Sequence, residues 1–159
     1  MTETDVLRLT RPLWNRISRH AAGDYPAECC GVLTEMEEGD GAVHPCRNIQ
    51  DKLHDQDPEA HPRTSKTAYR MDDLEVHRIL SGTEAASGKL RAFYHSHIDC
   101  EAYFSEEDHN AALFMGEPAY PGVVYLVVSV YGGEVKGQKV FRWRAPSESF
   151  EEVPLDLED

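Results

Sequence analysis

The segment FYHSHIDCEAYFSEEDHN, residues 93–110, concentrates side chains that bind metal ions. His95 and His97 lie two residues apart in a stretch typical of a β-strand, where alternate side chains share a face about 7 Å apart. Two imidazoles at that spacing can converge on one ion, and Asp108, one turn inside the helix predicted to follow, can turn back to meet them. Three protein ligands leave the fourth tetrahedral position for water, as in catalytic zinc sites.

Two further residues are candidates for the chemistry of such a site. Glu28 begins ECCGVL, at the end of a loop that leads into a predicted strand. There its carboxylate can take a proton from water and pass it to a leaving amine. The hydroxyl of Ser105 can donate to a carbonyl oxygen as negative charge develops on it. The expected reaction is the hydrolysis of an amide bond.

Each of these residues also has a purely structural explanation. A His-Ser-His pattern on a strand occurs on solvated or hydrogen-bonded faces. Ser105 and Asp108 match the N-cap and the first turn of a helix, and for Ser105 this role is compatible with one in the site. Glu28 alone is one of many carboxylates in the sequence. The combination of all five residues favours a site.

Strands and helices that can position these residues alternate along the chain. The strands are predicted at DVLRLT, CCGVLTEM, AVHPCRN, TAYRM, KLRAFYHSH, GVVYLVVSV and EVKGQKVFRWR. Helices are predicted from Pro12 to about Asp24, over DDLEVHRILSGTEAASG, and from Ser105 over SEEDHNAALFM. This alternation indicates the α/β class with a mixed sheet.

Apolar periodicity shows which parts of these elements face the core. Leu13, Ile17 and Ala21 fall on one face of the first helix, and Leu74, Ile79 and Leu80 fall near one face of the second. The second helix is expected to be capped by Asp72 or Asp73. GVVYLVVSV is a continuous apolar run, typical of a central strand buried on both faces.

Two polar regions are expected to lie outside the core. Residues 50–66 contain two prolines and histidines that we interpret as solvated, which predicts a mobile loop. The strand at 134–144 is predicted to be the last, followed by a frayed acidic tail. We therefore expect one domain over residues 1–150 and a flexible tail over 151–159.

Composition limits the classes of partner. The chain has 159 residues and a net charge of −13 with only 16 Lys and Arg, which argues against nucleic acid or an anionic membrane as a partner. We find no apolar run of about 18 residues and no signal peptide, so we expect a cytoplasmic protein. No C-x-x-C pair occurs among the four cysteines, which we expect to be free thiols: Cys29, Cys30, Cys46 and Cys100.

Glu28 in ECCGVL followed by HSHIDCEAYFSEED resembles the JAMM (MPN-plus, Mov34/PAD-1) metalloprotease family, in its compact prokaryotic branch. The resemblance extends from the first helix to the strand at 134–144. It implies a mixed β-sheet flanked by helices, similar to cytidine deaminases. It also implies roles for all five residues: one Zn²⁺ per chain bound by His95, His97 and Asp108, with Glu28 as general base and Ser105 helping to hold the oxyanion.

The resemblance further implies a substrate. Members of the family hydrolyse peptide or isopeptide bonds after the C-terminal Gly-Gly of ubiquitin or ubiquitin-like proteins, and prokaryotic relatives are associated with ubiquitin-like sulfur carriers. Such a tail would lie extended and add to a strand edge near the site. The sequence departs from the family in having Ile98 where Pro is frequent. Asp99 and Cys100 lie close enough in sequence to offer competing ligands.

Other classes of protein match the sequence less well. A non-catalytic MPN-type binding module would lack one or more of the five residues, and all five are present. A zinc nucleobase deaminase needs a cysteine pair that does not follow the histidines, and no His-Glu-x-x-His motif occurs. A thiol hydrolase using Cys30 or Cys100 stays open, and sensitivity to chelators separates it from a metal mechanism.

Overall fold

A mixed sheet of six strands forms the framework of the computed structural model, which describes residues 5–39 and 41–159. The strands of the chain are β1 (Leu7–Thr10), β2 (Cys30–Met36), β3 (Ala42–Cys46), β4 (Gly88–Ile98), β5 (Leu113–Phe114), β6 (Glu117–Pro118), β7 (Val124–Tyr131), β8 (Glu134–Arg144), β9 (Ser149–Val153) and β10 (Leu155–Glu158). The helices are α1 (Arg11–Asp24), α2 (Gln50–Gln56), α3 (Asp73–Ala85) and α4 (Glu106–Ala112).

The order of the sheet, β3-β2-β4-β7-β8-β9, places β4 and β7 at its centre. These two strands are parallel, with His95 opposite Val127 and His97 opposite Ser129, and the other neighbours in the sheet are antiparallel. β7 is buried from Val124 to Val130 because it has a strand on each edge and packed side chains on each face. The predicted α/β class, mixed sheet and central strand are confirmed.

Helices cover both faces of the sheet. On one face α1 packs against an apolar cluster that includes Ile17, Tyr94 and Leu126. On the other face α3 and α4 contribute to a second cluster, built around Phe93 and Tyr125. The phenol ring of Tyr94 crosses Gly31 so closely that a Cβ there would lie 2.2 Å from the ring, so β2 requires glycine at this point.

The predicted helix faces agree with the structure for α1 and in part for α3. Ile17 and Ala21 of α1 are buried, as expected. Asp72 caps α3, since its side chain accepts hydrogen bonds from two N–H groups of the first turn. Ile79 and Leu80 pack against the second cluster as predicted, but Leu74 is 55% exposed, whereas Val76 is buried. Two residues correspond to about 200° around a helix, so turning Val76 toward the sheet turns Leu74 toward solvent.

The region predicted as a mobile loop contains helix α2 instead. Side-chain hydrogen bonds to the backbone fix the rest of it. Gln50 Nε2 donates to Arg63 O at 3.0 Å, and the Asp51 carboxylate accepts from both the N–H and the hydroxyl of Ser65, at 2.7 and 2.8 Å. Contacts between polar side chains and the backbone produce no apolar periodicity in the sequence. The prediction of a mobile loop was wrong for this reason.

The strand predicted at TAYRM is absent from the described structure, apart from a single bridge between Asn48 and Met71. The Asn48 side chain makes hydrogen bonds to the backbone of this segment, in place of those that a neighbouring strand would make. Its Nδ2 donates to Ala68 O at 3.1 Å, and its Oδ1 accepts from Arg70 N at 3.0 Å. This segment is therefore extended backbone bound to a side chain.

The C-terminal region also differs from the prediction. β8 is followed by β9, which pairs with it, and by β10, which pairs in parallel with β1. Leu155 and Leu157 pack against the first apolar cluster, while Asp156 between them remains polar. This alternation makes the end of the chain a strand where a frayed tail was expected.

The third predicted helix is shorter than expected. α4 ends at Ala112, and the short hairpin β5–β6 follows, with Phe114 and Met115 exposed. Among the described residues, no helix is both long enough and apolar enough to span a membrane.

Candidate active site

Three ligand atoms meet on the face of the sheet covered by α3 and α4. Because side chains alternate along β4, His95 and His97 point to this face and Ser96 to the other. His95 Nε2 lies 3.0 Å from Asp108 Oδ2, His97 Nε2 lies 3.3 Å from the same oxygen, and the two Nε2 atoms are 3.3 Å apart. All three residues are buried. The convergence predicted for these three side chains is present.

The spacing of these atoms fits a tetrahedral metal ion. Two ligands that each lie about 2.0–2.1 Å from a tetrahedral ion are about 3.3 Å from each other. The three observed separations, 3.0, 3.3 and 3.3 Å, match three such edges. Two imidazole nitrogens and one carboxylate oxygen are also a donor set that divalent transition metals accept. The cluster can therefore hold one ion and leave one coordination position open.

The surroundings orient the two imidazoles. His97 Nδ1 lies 3.0 Å from the carbonyl oxygen of Glu101, so that it donates there and leaves the Nε2 lone pair directed at the cluster. The ring of Tyr69 stacks on His95 with centroids 4.5 Å apart, and Tyr103 meets His97 edge-on at 4.8 Å. These contacts fix the orientation of both rings.

Asp108 is positioned by a capping box at the start of α4. The Ser105 hydroxyl accepts from Asp108 N at 3.0 Å, and Asp108 Oδ2 accepts from Ser105 N at 3.1 Å. Burial favours the neutral carboxylic acid, but His95, His97 and the Ser105 N–H outweigh it and hold the pKa of Asp108 well below its ordinary value. The third ligand is therefore ionised and ready to bind a cation.

Glu28 lies in the same cavity as the cluster. It directly precedes the buried Cys29 and β2, and its main chain is fixed by Ser65 O, which accepts from its N–H at 2.7 Å, and by Asn48 Nδ2, which donates to its carbonyl at 2.9 Å. Burial raises the pKa of its carboxyl to about 8, although His97 opposes the shift. A carboxyl group held near neutrality suits proton transfer.

A cavity of about 230 Å³ opens beside the cluster. Its wall includes four of the five predicted residues, and His95 lies beneath the surface at 1% exposure. The lining is formed by Glu28, Arg63, Lys66, Thr67, Ala68, Tyr69, His97, Ile98, Cys100, Tyr103, Ser105, Glu107, Asp108 and Ala111. The site thus has a ligand cluster, a protonatable carboxyl group and room for an extended backbone.

Asp99, Cys100 and Cys30, which the sequence offers as competing ligands or nucleophiles, lie in different surroundings. Asp99 is directed away from the cluster, where its carboxylate accepts from Tyr25 Oη and from Gly132 N, both at 2.9 Å, so it does not compete as a ligand. Cys100 lines the cavity, and burial raises the pKa of its thiol. Cys30 is fully buried, and burial also raises its pKa. Neither thiol is activated as a nucleophile, which argues against a thiol hydrolase.

Several cavity residues were not predicted from the sequence. Tyr69 belongs to the segment mistaken for a strand, and Arg63 and Lys66 belong to the segment mistaken for a loop. No local pattern marks them, since only the fold brings them to the cluster. Tyr103 lies between the histidines and Ser105 in the sequence. This proximity is a signal from which its place in the cavity could have been predicted.

A mixed α/β sheet that carries a buried His-His-Asp cluster beside a second carboxyl group defines a class of protein whose cleft can hold a metal ion. The chain belongs to the family described as prokaryotic homologs of the JAB domain, whose model matches residues 10–146. This match includes every residue of the candidate site.

Curated relatives agree with this assignment. The chain is 36% identical over 114 residues to the desampylase of Haloferax volcanii, covering 70% of this chain and 69% of the relative. It is 33% identical over 124 residues to the CysO-cysteine peptidase of Mycobacterium tuberculosis, covering 78% and 73%.

Solved structures support the fold. A protein from Desulfitobacterium hafniense has a TM-score of 0.68 at 20% identity, over 96% of this chain and 93% of that one. A JAB1/MPN domain protein from Archaeoglobus fulgidus has a TM-score of 0.54 at 16% identity, over 96% and 100%. The sheet flanked by helices is therefore shared with JAB1/MPN domain proteins.

Proposed function

We propose that this chain is a zinc-dependent cytoplasmic peptidase that hydrolyses the bond after the C-terminal Gly-Gly of a ubiquitin-like protein of the sulfur-carrier type. The observation that carries the proposal is the three-ligand cluster with Glu28 in the same cavity. The names of the relatives, a desampylase and a CysO-cysteine peptidase, support hydrolysis of a bond to a small protein.

His95, His97 and Asp108 would hold the zinc ion, which supplies Lewis-acid activation of water at neutral pH. Histidine and carboxylate ligands with an open position are the set that catalytic zinc uses. In this assignment the hydrogen bond from His97 to Glu101 O and the ring of Tyr69 stacked on His95 keep both nitrogens aimed at one point.

Glu28 is the general base in this mechanism. It accepts a proton from the attacking water, holds it at a carboxyl oxygen, and donates it to the nitrogen of the leaving amine as the C–N bond breaks. Because burial raises the pKa of Glu28 to about 8, its protonated form is stable enough to act as an acid toward the leaving amine. A cation held by His95, His97 and Asp108 would lower this pKa, because a nearby positive charge favours the carboxylate form that the base requires.

Ser105 is the donor to the substrate carbonyl. Its oxygen already accepts from Asp108 N, which fixes the oxygen and leaves the hydroxyl hydrogen free to point into the cavity. A donor placed in advance stabilises negative charge on the carbonyl oxygen without reorganising in the transition state. The Gly-Gly residues suit this cleft because they have no side chains to collide with Tyr69 and Tyr103.

The test is cleavage of a sulfur-carrier protein extended beyond its Gly-Gly, followed by intact-protein mass spectrometry. We expect the loss of the extension, inhibition by a chelator, and recovery on addition of zinc. A folded, zinc-loaded chain that binds the carrier without cutting it would contradict the proposal and indicate a non-catalytic MPN-type binding module.

A further inference from the structure

A second cavity, of about 470 Å³, adjoins the one beside the metal-ligand cluster. The two cavities share Tyr69 and Ala111 in their walls, so a chain that lies in one can continue into the other. We call this second cavity the groove. Most of its wall residues are apolar or aromatic, and they include Val76, Leu80, Phe93, Ala112, Tyr120 and Tyr125.

The groove and Glu28 lie at opposite ends of the cluster. In the antiparallel pairing of β2 with β4, Ser96 N donates to Cys29 O, so Glu28 lies level with His97. Phe93, in the groove, is four residues back along β4 from His97, which is about 13 Å. Glu28 protonates the leaving nitrogen in the proposed mechanism, so the leaving group departs at the His97 end. The groove is therefore on the side of the carrier.

The β5–β6 hairpin presents exposed apolar residues next to the groove. Ala119 N donates to Ala112 O at 2.9 Å, which joins the base of the hairpin to the groove wall. Phe114 is 70% exposed, and Met115 at the tip is 88% exposed. Among the residues that the structure describes, three of the six exposed large apolar side chains lie within residues 114–120. Such a cluster on a chain of net charge −13 is typical of a surface that binds another protein.

The tip of the hairpin holds its apolar side chain in an unfavourable backbone conformation. Met115 and Gly116 have φ angles of 53° and 82°, as expected for the two central residues of a tight hairpin turn. Asparagine or aspartate before glycine suits this turn best, and a positive φ is strained for a side chain such as methionine. Methionine is thus a poor choice for the turn itself, whereas its flexible apolar side chain suits a binding surface.

The distance from the cluster to the hairpin tip matches the length of a short peptide tail. From Asp108 to Ala112, α4 rises about 6 Å, and the chain covers at most about 10 Å more to Met115. An extended tail of four residues spans about 13 Å. A folded protein whose Gly-Gly carbonyl lies at the cluster would therefore reach the hairpin with its body after about four residues.

We infer that the groove and the hairpin tip are the docking surface for the ubiquitin-like carrier. Its tail runs from the cluster through the groove, and an apolar patch on its folded body packs against Phe114 and Met115. This inference rests on the proposed function and assigns a surface of the chain to its substrate. Contacts at the hairpin are remote from the reacting bond and are the same before and during the reaction, so they lower KM and leave kcat unchanged.

The test compares two substrates with the same scissile bond. One is a sulfur-carrier protein extended beyond its Gly-Gly, and the other is a peptide with the same extension and only the last four residues of the carrier before it. The variant combines Phe114→Thr with Met115→Asn, residues that suit a strand and this turn, so the hairpin should persist. We expect its kcat/KM on the protein to be about 10-fold lower through a higher KM, with kcat and cleavage of the peptide unchanged.

Leu74→Ser is the matched control, because Leu74 is an exposed apolar residue of α3 that lines neither the groove nor the cavity beside the cluster. It should match the wild type on both substrates. A hairpin variant with the wild-type KM for the protein, or with an equal loss on the peptide, would overturn the inference and leave the proposed function intact. An equal loss in Leu74→Ser would also overturn it, since the position of the apolar side chain would then not matter. A zinc-loaded wild type that cleaves neither substrate would overturn both.

Discussion

The two faces of β4 use neighbouring residues for opposite purposes. Toward α1, Tyr94 and Ser96 are sealed in an apolar layer, where the hydroxyl of Ser96 accepts from Cys29 N at 2.7 Å. Toward α4, His95 and His97 turn their nitrogens to a common point with Asp108. One face satisfies its polar groups within the protein, and the other gathers three of them at a point where they can hold an ion.

This difference shows how a single central strand can support a site. The α1 face holds the strand rigid, because its polar atoms are paired and its apolar side chains are packed. The α4 face can then hold three ligand atoms within 3.3 Å of one another. Substitutions that act on one face and leave the other intact test this division.

The largest effect is expected for His97→Ala. This change removes one of three ligands, so the variant should lose stoichiometric metal and with it all measurable turnover. Its fold should remain, because the α1 face is untouched, and circular dichroism would verify that. A folded His97→Ala variant that retains one metal per chain would place the ion elsewhere.

Glu28→Gln should come next. Glutamine keeps the shape of the side chain and cannot carry the proton, so kcat should fall by roughly 10²- to 10⁴-fold while the metal stays bound. Burial disfavours the charged carboxylate, as the raised pKa of about 8 shows, so the variant should unfold at no lower temperature than the wild type after chelation. Loss of metal in Glu28→Gln would assign Glu28 to the ligands instead.

Ser105→Ala should lower kcat by about 10²-fold through loss of the donor to the substrate carbonyl. The same change removes the N-cap of α4 and costs about 1 kcal/mol of stability. Ser105→Thr separates the two effects, because threonine keeps both the hydroxyl and the cap and should recover much of the rate. A rate unchanged in Ser105→Ala would leave this residue with its capping role alone.

The smallest effect on activity is expected for Ser96→Ala, on the opposite face from His97. It leaves the buried N–H of Cys29 without its side-chain acceptor, which should lower the free energy of unfolding by about 1–3 kcal/mol. Metal content and kcat of the folded fraction should match the wild type. If Ser96→Ala instead lost metal as His97→Ala does, the two faces would not be independent.

The sequence predicted the parts of the molecule that depend on local pattern. The period of two along β4 placed His95 and His97 on one face, and the apolar run of β7 predicted a central buried strand. The helix predicted to begin near Ser105 places Asp108 beside the histidines. The capping box between Ser105 and Asp108 fixes the carboxylate there. These features depend only on residues that are close together in the sequence.

The parts that sequence reasoning missed depend on distant partners. Residues 50–66 look like a polar loop, because the contacts that order them are between side chains and distant backbone groups. β10 becomes a strand only by pairing with β1, at the other end of the chain. Arg63 and Lys66 reach the cavity through this same ordered segment, so no spacing rule identifies them.

The central claim is that His95, His97 and Asp108 bind one zinc ion. The most direct test is elemental mass spectrometry of the purified wild type beside His95→Ala, both confirmed to be folded. We expect about one zinc ion per wild-type chain and none in the variant. A folded wild type that takes up no metal after incubation with zinc, or a variant that keeps it, would contradict the claim.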